Sequence, residues 1–302
     1  MVVDDHSGDG TADILGSWAK EDPRVRVLPP PARHAGLVAC LERARAAARA
    51  PLLARMDHDD VALPERLARQ LALLERRPDV ALCGCGVEYF RSGRLGDGSR
   101  RYQSWLNTLV ESDQIERDLF VECPLAHPTF MMRREAVAAV GGYRDLGWPE
   151  DYDLVIRLWE AGMRFAKVPD VLLKWRDRHD RLSRTSPRYR PGAFRRLKVH
   201  ALGRTLLAGR DEVVIWGAGP TGKAFSRALS GVGIRVRAFV DPDPRKVGQD
   251  IHGASVVPPE TVGSYRGTFC LAAVGKGGAR EEIRSALGAL GWREMLDFCA
   301  VA

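Results

Sequence analysis

Residues 52–67 read LLARMDHDDVALPERL, an apolar run that ends abruptly in carboxylates. Leu52 to Met56 have the composition of a buried strand, and Asp57, Asp59 and Asp60 follow where such a strand runs out. In an extended segment alternate side chains share a face, so Asp57 and Asp59 are expected to point together while Asp60 faces elsewhere. Two hard oxygen donors suit Mg²⁺ or Mn²⁺ whose coordination is completed by substrate phosphates. An acidic turn capping a helix that starts near Pro64 is an equal alternative on this stretch alone.

Outward from this point, short strand-like runs alternate with helix-like ones. Val25 to Leu28 is followed by a helix around Leu37 to Arg49, then Leu52 to Met56, a helix over Pro64 to Arg77 and a strand over Val80 to Val87. The alternation predicts an α/β fold with a largely parallel sheet. A second acidic cluster lies in WPEDYDLVIRLWEAG, residues 148–162. There Asp153 is expected to cap a helix that buries Leu154, Ile156, Leu158 and Trp159. Glu150 and Asp151 precede that helix and are not explained by the cap; a carboxylate beside a metal-bound diphosphate could act as general base toward a hydroxyl.

The ordered set VVDDHSGDGT (2–11), GLVACLERARAAARAPLLARMDHDD (36–60), HPTFMMRREAVAAVGGYRD (127–145), PEDYDLVIRLWEAG (149–162) and WRDRHDRLS (175–183) resembles the family 2 glycosyltransferases of the GT-A fold. The resemblance covers residues 1 to about 184. It implies an inverting transfer of a sugar from a nucleotide-diphosphate donor to an acceptor hydroxyl. Asp4 and Asp5 would hold the base and ribose, and Asp57 and Asp59 the divalent cation (Mn²⁺ or Mg²⁺) and diphosphate. Asp151 would be the base, with Glu150 beside the acceptor. Arg176 or His179 would close over the diphosphate, a surface loop being the alternative for that segment. His127 and Gly142–Tyr143 resemble the acceptor side, although His127 reads better as a satisfied structural histidine. By the same analogy the acceptor is a glycan or a lipid-linked sugar in surface polysaccharide or glycolipid assembly. Two departures stand out. Glu42 occupies a position where relatives often carry Asn, and the usual first strand and helix, about 35 residues of βα unit, do not precede Val2. The expectation is a start that lacks one wall of the base pocket and leaves the Val2–Val3 strand with an open edge.

Beyond the Pro- and Arg-rich stretch RTSPRYRPGAFRR, VVIWGAGPTGKAF (213–225) places Gly217, Gly219 and Gly222 between a strand and a helix, with Asp241 ending the next strand. Glycines in that pattern permit a tight turn against a phosphate, and the acid can bind a ribose hydroxyl. A turn kept for packing alone is the alternative. FVDPDPRKVGQDIHGASVV (239–257) resembles small Rossmann-like domains of sugar-modifying acyltransferases, which implies a nucleotide or nucleotide-sugar in this second domain. The expected organisation is a GT-A domain over 1–184, a linker and helix over 185–210, and a Rossmann-like parallel α/β domain over 211–302. A non-catalytic nucleotide-binding protein and an NAD(P)-dependent oxidoreductase are the competing functions, the latter weakened by the lack of a Tyr-x-x-x-Lys pair.

Composition narrows the partners. The 302 residues carry 46 Lys and Arg against 39 Asp and Glu, net +7, with only seven lysines, so no compact basic stripe points to nucleic acid. The helix expected around Phe194 to Arg204 is read as packing on its own domain, with peripheral contact at an anionic membrane as the alternative. Six cysteines lack metal or redox spacing and read as buried thiols. No apolar run approaches the roughly 18 residues of a membrane span, and the acidic start is unlike a signal peptide, so a cytoplasmic protein, or one peripheral to the inner membrane face, is expected.

Overall fold

The computed structural model describes residues 1–30, 34–91 and 93–302, which divide into two compact units, Met1–Ser112 with Leu125–Arg181, and Asp113–Pro124 with Leu182–Ala302. The α/β class holds in both. The division differs from the sequence-based boundaries in two respects: the segment 113–124 leaves the first unit's run of chain and packs with the second, and the stretch expected as a linker and helix over 185–210 belongs to the second unit, which resumes at Leu182.

In the first unit, β1 (Val2–Val3) and β2 (Val27–Leu28) form a two-stranded parallel ribbon. The remaining strands are β3 (Leu52–Ala54), β4 (Val61–Ala62), β5 (Val80–Phe90), β6 (Met131–Arg133) and β7 (Arg164–Arg176). They form a second sheet in the order β3-β6-β5-β7-β4. Among the described residues its only parallel pair is the long β5–β7 ladder; β6 runs against both neighbours and β4 against β7. The largely parallel sheet expected here is therefore a mixed one. Local alternation does not encode strand direction, and β4 follows β3 by a short acidic turn rather than by a crossover helix. Both faces of β5 are buried, which is why VALCGCGV reads as an unbroken small and apolar run.

The second unit contains β8 (Glu212–Trp216), β9 (Arg235–Val240), β10 (Asp250–Ile251), β11 (Ala254–Val257), β12 (Phe269–Ala272) and β13 (Phe298–Ala300). The order is β10-β11-β9-β8-β12-β13, parallel throughout except for the β10–β11 hairpin. Chain order reverses on either side of β8, so the glycine turn after it lies at a topological switch point. The segment 113–124 is fixed here by charge. Asp118, 1% exposed, is paired with Arg284 and Arg280, and Arg284 also donates to Glu294. Lys198, on the helix Pro191–Arg204, donates to the carbonyls of Val121 (2.7 Å) and Val301 (3.0 Å). This helix buries Leu197, Val199, Ala201 and Leu202, in agreement with packing on its own unit.

All cysteines but Cys40 are buried as free thiols, and burial pushes Cys83 and Cys270 up to about 12. Among the described residues no helix is long and apolar enough to cross a membrane.

Candidate active site

The strand before the decisive turn stops two residues short of the end of the apolar run. The strand ends at Ala54, and residues 57–60 form a turn closed by Asp60 N–H donating to the Asp57 carbonyl, so strand alternation is not what separates the carboxylates. Nor do they cap the following helix, Arg66–Arg76, whose N-cap position is Glu65 without a side-chain cap bond. Instead Arg66, 1% exposed, reaches back: one nitrogen donates to the Arg55 carbonyl (2.6 Å), another contacts Met56 Sδ, and Nε donates to Gln70. Gln70 in turn donates to the carbonyls of Thr129 and Cys83. The approach to the turn is thus held by a polar pair at i and i+4 of a buried helix face.

Three arginines surround the acidic turn. Arg55 extends an NH1 to Asp57 Oδ2 at 2.5 Å, and its side chain is only 9% exposed. Arg176 donates from Nε to the Asp59 carbonyl (2.7 Å) and from its backbone N–H to Asp60 Oδ1 (2.8 Å), with its guanidinium over Phe90. Arg178 NH1 lies 3.8 Å from Asp59 Oδ2. Asp60 does face elsewhere, into the protein, where burial pushes its carboxyl up to about 6 against the lowering by the Arg176 amide. His179, expected near the diphosphate, contacts Arg91.

The second cluster opens the helix Glu150–Glu160. Its N-cap position is Pro149, so Asp153 is not a cap; it lies in the first turn, buried, and accepts from Trp148 Nε1 (3.1 Å) and Arg157 Nε (2.8 Å). Arg157 carries the connection on, donating to the carbonyls of Val140 and Gly142. That fixes the Gly141–Gly142 turn, whose next residue, Tyr143, donates its N–H to Glu42 (3.0 Å). Gly142 has φ +68°, and a Cβ there would meet the Glu42 carboxylate at 2.4 Å. Glu42, the departure noted in the sequence, therefore clamps this turn to the helix Gly36–Ala47 while also pairing with Arg45.

Tyr143 OH and His127 Nε2 are 2.9 Å apart, and His127 Nδ1 is 3.8 Å from Glu150 Oε1. All three groups are buried, and Glu150 is fully so. Burial, with the nearby Arg55 charge, holds His127 well below its usual range and therefore neutral. His127 is the satisfied histidine expected, and Glu150 lies beneath the surface while Asp151 stays half-buried. The two acidic clusters share one neighbour: Arg55 pairs with Asp57, and the charge of Asp151 also acts on its guanidinium. Arg55, Arg66 and Gln70 escaped the sequence reading. The signal available was an arginine interrupting an apolar strand end and the Arg-x-x-x-Gln spacing on the next helix.

At β1, Asp5 accepts from the amides of Ala35 (3.0 Å) and Gly36 (2.9 Å), the start of the helix Gly36–Ala47, and Asp4 accepts from Ser7. In the second unit Asp241 accepts from Ala218 N–H (2.9 Å) and Lys246 Nζ (2.9 Å) on Oδ2 and from Asp243 N–H (3.0 Å) on Oδ1, so one oxygen braces the glycine turn and the other the loop that follows Asp241. A Cβ on Gly222 would lie 1.8 Å from the Gly217 carbonyl oxygen, which explains that glycine by packing alone. Gly219 stands open, with nothing near the position of a Cβ.

Residues 1–141 match the family model described as glycosyl transferase family 2. Over these residues the chain is similar to that family. The chain is 28% identical over 184 residues to the amylovoran biosynthesis glycosyltransferase AmsE of Erwinia amylovora. It is 30% identical over 193 residues to the putative glycosyltransferase EpsE of Bacillus subtilis. These alignments cover 61% and 63% of this chain and 66% of each relative, so the chain spans less than two thirds of their length. Among solved structures, S. aureus TarS 1–349 in complex with UDP-GlcNAc aligns at 14% identity with a TM-score of 0.49, over 75% of this chain and 61% of that one.

Proposed function

We propose that the first unit transfers a sugar from a nucleotide-diphosphate donor to an acceptor hydroxyl with inversion. The observation that carries this reading is the convergence of the Asp57–Asp59 turn and Asp151, distant in sequence, on the single buried guanidinium of Arg55. Asp57 and Asp59 would hold the divalent cation. An ion held by two carboxylates would complete its shell with substrate phosphates. When bound, Mn²⁺ or Mg²⁺ supplies neutralisation of charge on the departing diphosphate.

The chain's own residues divide the rest. Asp151 accepts the acceptor hydroxyl proton as its oxygen attacks the anomeric carbon; the bond to the diphosphate breaks on the opposite face, and no covalent intermediate is required. Glu150 acts from beneath, anchoring the helix start through His127 and Tyr143. Arg176 keeps the acidic turn in shape, and the segment bearing Arg178 and His179 covers the diphosphate. Asp4 exchanges Ser7 for a ribose hydroxyl, and Asp5 shapes the pocket by holding the helix at Gly36. The acceptor is a glycan or lipid-linked sugar of a surface polysaccharide and the donor a hexose nucleotide; the E. amylovora relative is named for the biosynthesis of amylovoran. Such an acceptor places the enzyme at the inner membrane face. The second unit binds a nucleotide at the open turn around Gly219, with Gly217, Gly222 and Asp241 serving its shape.

Donor hydrolysis and transfer with a panel of nucleotide-sugars test the reading. Asp151→Asn should abolish transfer while sparing metal-dependent nucleotide binding, and Asp59→Ala should weaken both. Undiminished transfer by Asp151→Asn would remove the base assignment.

A further inference from the structure

We propose that Arg55 and Arg178 are built-in counter-ions of the Asp57–Asp59 pair, making cation binding conditional on the arrival of a diphosphate. The proposal rests on the donor-site reading above and concerns the order in which that site fills. Each carboxylate already faces a guanidinium: Arg55 NH1 is 2.5 Å from Asp57 Oδ2, and Arg178 NH1 is 3.8 Å from Asp59 Oδ2. Two negative and two positive charges leave a lone divalent cation little net attraction. Like charges a few ångströms apart repel, more strongly at the buried Arg55 than at the exposed Arg178.

The two arginines differ in freedom. Arg55 is built in: its side chain is nine-tenths buried, its backbone N–H donates to Phe130, its carbonyl accepts from Arg66, and its Nε is buried without a hydrogen-bond partner. A guanidinium retained with one donor unsatisfied costs stability, which points to a use for its charge. Arg178 is 45% exposed and also pairs with Asp180 at 2.6 Å, so it can turn from Asp59 to phosphate oxygens without unpacking the fold. A diphosphate supplies the missing negative charge, draws Arg178 away and frees Asp59 for the cation. Arg55 remains on one oxygen of Asp57 and leaves the other to coordinate. By linkage the cation and the diphosphate must each tighten the other's binding.

The test is Mn²⁺ retention by the full chain, read from the electron paramagnetic resonance signal of free ion, with Mn²⁺ alone and with UDP or GDP added. The parent should hold Mn²⁺ weakly alone and at least about thirtyfold more tightly with a nucleoside diphosphate. Arg178→Gln, an exposed change that should fold normally, should raise affinity for Mn²⁺ alone by about tenfold and so shrink that coupling. Arg55→Met should do the same where circular dichroism shows it folded. Equal Mn²⁺ affinity with and without diphosphate, or an unchanged affinity for Mn²⁺ alone in Arg178→Gln, would overturn the proposal and leave the donor-site reading standing. No retention of Mn²⁺ by the parent in either condition would overturn both.

Discussion

Replacing Asp153 by Asn removes one charge from a pair that is closed to water on both sides. Asp153 is 3% and Arg157 6% exposed, so the guanidinium would remain buried with its carbonyl partners at Val140 and Gly142 but without a counter-charge. Breaking a buried pair from one side costs about 3–5 kcal/mol, and Asn, which keeps an acceptor, belongs at about the lower end. For a unit of this size that lowers the melting temperature by on the order of 10 °C. The effect should be visible in the first unit's transition by calorimetry, and locally in the fluorescence of Trp148, whose Nε1 donates to the same carboxylate. The double variant Asp153→Leu/Arg157→Met should recover part of the loss, because the desolvation of the orphaned charge disappears with it. A melting point for Asp153→Asn within about 2 °C of the parent would refute the claim that this pair holds the Gly142 turn.

Gly222→Ala places a methyl 1.8 Å from the Gly217 carbonyl oxygen, so the turn must open; the second unit should lose about 3 kcal/mol, measured by urea unfolding. Lys198 is buried and its amine falls from 10.5 to about 8 in the folded state, burial outweighing the attraction of Glu122. Between those values the unfolded chain binds the proton and the folded one does not. Stability should therefore rise with pH from about 8 to 10.5, by up to about 3 kcal/mol, relative to Lys198→Met at each pH. A flat difference between the two proteins across that window would show that Lys198 stays protonated. Carboxylate variants at Asp151 and Asp59 should separate transfer from binding as stated above, by product analysis and by nucleotide titration.

The parts of the site that are local in sequence were legible in it. An apolar run meeting Asp57 and Asp59, and an acidic helix start at Glu150–Asp151, need only neighbouring residues to be read. What was hidden depends on pairing across the fold. That Glu150 lies under His127 and Tyr143, while Asp151 beside it stays half-buried, follows from where the Gly142 turn is clamped by Glu42. Arg55 looks in sequence like a blemish at a strand end; only the packing of Asp151 near it gives its charge a second partner. Asp241 ended its strand where a ribose ligand would, yet the amides of Ala218 and Asp243 and the amine of Lys246 were there to take its oxygens. Strand direction was likewise invisible, since β6 owes its antiparallel course to partners on either side rather than to its own three residues.

The withdrawal of residues 113–124 into the second unit has a consequence for how this chain can be divided. Because Asp118 neutralises Arg280 and Arg284, and the Val121 carbonyl receives Lys198, a fragment beginning at Leu182 would take Asp118 from both arginines, leaving Arg284 its glutamates, and would leave the buried Lys198 one carbonyl partner, Val301. A fragment ending at Arg181 would carry the same segment with nothing to grip. The order of the chain therefore carries a constraint: moving the second unit into another protein requires taking with it the twelve-residue segment 113–124, which lies inside the first unit's stretch of sequence.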